Sequence, residues 1–297
     1  MTKKHRLTLV VLLAAVCLAL SAACGGGGEQ AAGPAEGSAE WYWAAAQLNV
    51  ENGDFAKAQE QLEEVAKSES ELAGRASLWR AVLLYGMAEG LTDVTDSYRA
   101  SMELKPDTIE NYQNAVQQHD RRAKGYSIAF AESLGQIDKA IGDGKVTLDF
   151  PFPSGSAVES PVLAEVADGV VTPLEKREPA EDHAVRRQMI LGAALLAGTG
   201  DDSAKAQAMF NAGPVEVDAV IARAGIARQL LNVSDLFERK RLMDAKLRGL
   251  FVERSEQWFA PAKELEDDEE MAELVKDFEF ALENERRDMD GKRRREK

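Results

Sequence analysis

Two cysteines, three histidines and several adjacent acid pairs are the groups in this 297-residue chain with the chemistry for a reaction or a metal. Both cysteines fall within the first 28 residues. Cys17 sits inside an apolar run behind the bulky Val16, whereas Cys24 ends that run and is followed by four glycines, so Cys24 is the accessible thiol. His5 belongs to the basic head of the chain. His119 lies on an apolar helical stripe beside Asp120, where a core or boundary histidine is the simpler account than a base, because a base needs convergent partners. His183, next to Glu181 and Asp182, reads as a helix-start residue. Adjacent acids such as Glu63 and Glu64, or Asp267 and Asp268, point about 100° apart on a helix, which makes them solvated faces and not an acid and base aimed at one bond. The glycines at 25–28 lack the preceding strand and following Lys-Ser of a phosphate loop. Gly155 and Ser156 lack the second glycine of a nucleophile elbow. The residues thus predict no catalysis, no cofactor and no metal ligand.

The segment that positions Cys24 has its own logic. Lys3, Lys4 and Arg6 precede an apolar run over residues 7–23 that ends in small residues, the pattern of a secretory signal. Seventeen residues make about 25 Å of helix, short of the roughly 20 residues a span needs. An uncleaved single-pass anchor is the alternative. Leu20, Ser21, Ala22, Ala23 and Cys24 together resemble the lipobox of bacterial lipoproteins, with Ser21 where that family usually has leucine. The resemblance implies cleavage after Ala23, a diacylglycerol such as a palmitate-bearing one on the Cys24 sulfur, and acylation of the new amine. Two or more acyl chains anchor stably where one is marginal. Gly25 replaces the aspartate that signals inner-membrane retention in the family, which implies a cell-envelope protein on the outer membrane facing the periplasm. Residues 25–38 hold nothing apolar larger than alanine and proline, so 24–38 reads as a flexible tether.

Charge and cysteine usage bound the rest. The formal charge is −15, and loss of Lys3, Lys4 and Arg6 with residues 1–23 takes it to −18, a surface that repels nucleic acid. Removing those 23 of 297 residues leaves 274, enough for one or two domains, held without disulfides by packing alone.

From Trp41 onward apolar residues recur at helical spacing. Phe55, Ala58, Leu62 and Val65 form one stripe; Leu72, Ala76, Trp79, Leu83 and Met87 form another. Asn52 and Gly53 stop the first helix and Asp54 is placed to cap the second. Tyr42, Ala46, Gly53, Asp54, Phe55, Ala58 and Leu62 resemble, in order, the positions of a tetratricopeptide repeat, a helix-turn-helix unit. A second copy is suggested by Leu78, Tyr85, Tyr98 and Pro106. A third is suggested by Leu191, Gly192, Leu195, Gly200, Asp201, Ala206 and Phe210. The string Ala-Lys-Ala-Gln occurs at 56–59 and again at 204–207, each followed at the same distance by a large apolar residue, Leu62 or Phe210.

Between these copies Asp107 precedes a stripe running from Ile109 to Ile141, predicting a helix of about 50 Å, kinked near Gly125, as the spine of the fold. Residues 142–180 hold five of the nine prolines and read as a crossover, extended over 146–152, with one short helix starting at Pro161 and ending before Gly169. Helices are expected again from Asp182, from Pro214, and from Ser234 as a cap. Trp258 and Phe259 read as a plug before Pro261. The last helix starts near Lys263 with an acidic first turn and buries Met271, Leu274, Phe278 and Leu282; from Arg286 it turns basic and is expected to fray.

The expected fold is therefore all-α: tetratricopeptide-like hairpins, as an α-solenoid or helical bundle, in two halves at 39–141 and 181–290, a proline-rich crossover at 142–180 and a basic tail at 291–297. The tetratricopeptide resemblance implies a surface for binding other proteins, so the expected role is a lipid-anchored envelope scaffold or adaptor, with Trp41, Trp43 and Tyr85 as candidate anchors unless they are core. The alternative is a small-molecule-binding accessory protein of an envelope transport system, with an apolar cavity near Phe150, Phe152 and Trp258.

Overall fold

Ser38 starts the first helix: its hydroxyl accepts the Trp41 N–H at 3.2 Å, and α1 (Ala39–Glu51) follows. The computed structural model describes residues 33–104, 109–150, 152, 164–167, 170–173, 178–200, 202–238, 242–265 and 269–295; Cys24 and most of the tether lie outside them, as do Pro106, Asp107, Pro161, Gly169 and Asp201. Gly53, at φ +78°, turns the chain back into α2 (Phe55–Lys67), whose stripe of Phe55, Ala58, Leu62 and Val65 is buried as its spacing predicts.

Next comes α3 (Ala73–Leu104), which runs unbroken where the second repeat copy would require a turn. Every position from 76 to 88 is buried, Ser77 and Arg80 included, so this stretch of α3 is enclosed on all sides. The spine is α3, flanked by α2, α4 (Ile109–Ile141) and α5 (Glu178–Leu196), and not the one-residue-longer α4. Gly86 and Gly90, one turn apart, explain the close fit to α5. A Cβ at Gly90 would lie 2.7 Å from the Val185 backbone, and one at Gly86 would lie 2.5 Å from the Met189 side chain. The α4 helix continues through Gly125 and Gly135, both of which face open space.

The crossover contributes strands, and among its described residues helix only where α5 begins at Glu178, ahead of the expected start at Asp182. β1 (Lys145–Leu148) turns Val146 and Leu148 into the core, and β2 (Ala164–Ala167) pairs antiparallel with β3 (Val170–Pro173), replacing the short helix expected there. β1 pairs antiparallel with β4 (Val215–Asp218), Lys145 opposite Asp218 and Leu148 opposite Val215. The expected helix at Pro214 thus starts later, because Val-Glu-Val-Asp alternates with the period of a strand. Asp218 then caps α7 (Ala219–Asp235), its carboxylate accepting the Val220 N–H at 2.8 Å; α6 (Ser203–Asn211) precedes β4.

Ser234 caps nothing. It is buried inside the last turn of α7 and donates to the Leu231 carbonyl, while Asp244 caps α8 (Ala245–Lys263) through the Leu247 N–H. Trp258 and Phe259 belong to α8, with Pro261 in its last turn. The final helix, α9 (Glu269–Arg295), buries Met271, Val275, Phe278 and Leu282 and leaves Leu274 half-buried. It is helical through Arg295, and it is fastened to α8 by the buried pair Arg248 and Glu285, with Nη2 to Oε2 at 2.7 Å, and by Arg286 to Glu256 at 2.5 Å.

One core joins the two halves, with Trp43, Trp79 and Phe130 packed in the same cluster as Met189, Leu196 and Phe237. A second cluster fills the space between α7, α8 and α9, and contacts hold residues Gly37–Lys297 together as one unit.

Candidate functional site

The α1–α2 turn and the first turn of α5 border a cleft of about 780 Å³, inside the roughly 300–1,000 Å³ range of ligand sites. Met87 and Leu91 of α3 supply its apolar wall, and Arg122 of α4 its basic one. Glu181, Asp182 and His183 project from α5, so the structure brings this acidic turn against Asp54 of the first hairpin and Arg122 of α4, far away in the sequence.

Arg186 ties this α5 turn to the hairpin. Its Nε donates to Asp182 at 2.8 Å, a second nitrogen donates to the Glu51 carbonyl at 2.9 Å, and the guanidinium lies 5.5 Å over the Phe55 ring. The left-handed Gly53 fits because it has no side chain: a Cβ would sit 3.0 Å from an Asp182 carboxylate oxygen. Asp54 occupies the cap position of α2 without capping the backbone. Its carboxylate instead takes Lys57 at 2.5 Å, and that hydrogen bond is the chief reason its carboxyl lies below the ordinary range.

Glu181 is the centre of the charge network. One oxygen meets His119 Nε2 at 2.6 Å and the other accepts from Arg122 at 2.9 Å. Burial pushes the Glu181 carboxyl up, but the bonds from His119 and Arg122 outweigh it and hold the carboxyl below its usual value. Burial likewise opposes the charge on Arg122, and the same carboxylate raises it above the ordinary value. His119 is 4% exposed and stacks on Tyr98, ring centroids 5.7 Å apart and planes 7° from parallel. Its Nδ1 has no hydrogen-bond partner among the described residues, and Nε2 is the ring nitrogen that meets Glu181. Next to it, Asp120 accepts from Arg99 at 2.7 Å, yet burial dominates and raises its carboxyl.

The cleft's carboxylates are thus all engaged: Asp54 with Lys57, Glu181 with His119 and Arg122, Asp182 with Arg186. His119 is a core histidine with a satisfied Nε2, as its stripe position suggested, but its partner lies 62 residues away and no local pattern pointed to it. His183 is exposed on the rim. Of the candidate anchors, Trp43 and Tyr85 are core: Trp43 packs on Trp79 at 5.2 Å and Tyr85 accepts from Asn232 at 3.0 Å, while Trp41 is half-buried. Among the described residues, the rings of the region assigned to an apolar cavity pack on one another. Phe150 meets Phe210 at 5.1 Å and Phe152 meets it at 6.0 Å, and Trp258 packs against both main clusters.

Among the described residues no three or more His, Cys, Asp or Glu side chains converge as a metal site, and no helix is long and apolar enough to cross a membrane. Cys24, the proposed lipidation site, lies outside those residues. Comparison with protein families, curated proteins and solved structures finds no match.

Proposed function

We propose that this protein is a lipid-anchored scaffold or adaptor of the cell envelope, tethered through Cys24 to the outer membrane, which binds other envelope proteins through tetratricopeptide-like hairpins and performs no catalysis. The observation that carries the binding role is the recurrence of one hairpin: α1–α2 and α5–α6 share the Ala-Lys-Ala-Gln string, bury its second alanine, and bury Leu62 and Phe210 four residues beyond. Each hairpin turn borders a cleft, which leaves backbone and side chains accessible where a partner approaches. The anchor rests on the basic head, the apolar run and the small residues before Cys24. Membrane fractionation of Cys24→Ser tests the anchor: loss from the outer-membrane fraction is expected, and unchanged fractionation at unchanged size would overturn it. In-cell crosslinking from His183 on the cleft rim tests the binding role; a discrete, reproducible crosslinked protein is expected, and a monomer-only pattern would sink it.

A further inference from the structure

We propose that a second cleft, at the α5–α6 turn, binds a small apolar zwitterion: a free amino acid with an apolar side chain, or a dipeptide of such residues. The cleft holds about 380 Å³, at the small end of ligand sites. One wall is the carboxyl end of α5 and its turn, a second is α7 with Arg228, and a third is α9 with Glu273 and Asp277. The half-buried Ile221 and Leu274 supply its apolar surface, over the buried stack of Phe259 and Phe278, whose centroids lie 3.7 Å apart.

The charges here are open, unlike those of the first cleft. Arg228 is half-buried and makes no hydrogen bond or ion pair with another described residue; nor do the exposed Glu273 and Asp277. A partly desolvated guanidinium is costly to leave without an acceptor, and a ligand carboxylate is its natural bidentate complement. Glu273 and Asp277 stand four apart on α9 and so face the same side, where an ammonium group bridges them. The carboxyl end of α5 adds partial negative charge to the same space. Arg228 lies beyond ion-pair distance of both acids, which leaves a gap for a ligand to fill. A simple anion is repelled by the two carboxylates and a polyamine by the arginine, so the matching ligand carries both charges. The apolar surface of Ile221 and Leu274 selects an apolar body between them.

Calorimetry on the purified full-length protein tests this with leucine, Leu-Leu, N-acetyl-Leu-Leu and Leu-Leu amide. Leu-Leu is expected to bind saturably, with acetylation and amidation each weakening it about tenfold or more. Arg228→Gln should remove the penalty for amidation, and Glu273→Gln with Asp277→Asn the penalty for acetylation. No saturable binding of leucine or Leu-Leu up to about 10 mM overturns the proposal, as do blocked dipeptides that bind as tightly as the free one. The blocked ligands make that comparison on the wild-type protein, so it holds even if a variant does not fold. The proposal is independent of the scaffold reading, which crosslinking in cells tests separately.

Discussion

The hairpins α1–α2 and α5–α6 are written with the same four residues and finish differently. In the first, Gly53 leads directly into Asp54, whose carboxylate turns outward to Lys57 and leaves the start of α2 without a side-chain cap. In the second, Asp202 reaches the Lys205 N–H at 2.9 Å and caps α6. The clefts beside them differ in the same spirit. Around the first, Glu181, Asp182 and Asp54 each find a cation of the protein itself. Around the second, Arg228, Glu273 and Asp277 find no such partner among the described residues. Identical local sequence therefore does not imply identical use: the first turn is a joint that fastens α5 to the hairpin, and the second borders a site whose charges stay open to a ligand.

The deepest test of that contrast lies in the two buried residues after the shared string. Leu62→Ala and Phe210→Ala should cost about 2–5 and 3–5 kcal/mol respectively, read from urea denaturation; near-equal small losses would mean neither hairpin is integral to the core. Glu181→Gln comes next, at about 1–3 kcal/mol, because it weakens the anchorage of the Arg122 guanidinium and of the buried His119 ring. Its pH dependence has a definite sign. The folded-state pKa of Glu181 is depressed, so its stabilisation is full above the unfolded value near 4.3 and is lost as pH falls through the folded value. Wild type should therefore lose stability more steeply on acidification than Glu181→Gln. Asp120, raised by burial, works the opposite way, and Asp120→Asn should steepen the acid loss. The smallest pair is the caps. Asp202→Ala should cost about 1 kcal/mol, and Asp54→Ala visibly less by thermal melting; an equal effect would erase the distinction drawn between the turns.

Much of the helical plan was readable from spacing. The Phe55, Ala58, Leu62, Val65 stripe, the break at Asn52 and Gly53, and the extent of the helix over 109–141 all follow from short-range pattern. The errors have one physical origin. Val215–Asp218 is a strand because it pairs with Lys145–Leu148 some 70 residues earlier, and four residues carry little periodic signal. Ser234 resembles a cap, yet Glu285 from α9 and the Leu231 carbonyl of α7 claim its hydroxyl. The repeat match asked for a turn inside α3, but enclosure by α2, α4 and α5 rewards an unbroken helix there. Nothing near His119 in the chain names Glu181 as its partner.

Residue order alone was enough to settle that this chain folds into amphipathic helices and where several begin and end, since caps, glycines and apolar spacing act over a turn or two. Which helix became the centre, which carboxylates were neutralised by neighbours and which were left open depended on segments tens of residues apart meeting in space. Burial and ion pairing are properties of those meetings, and no window of sequence contains both partners.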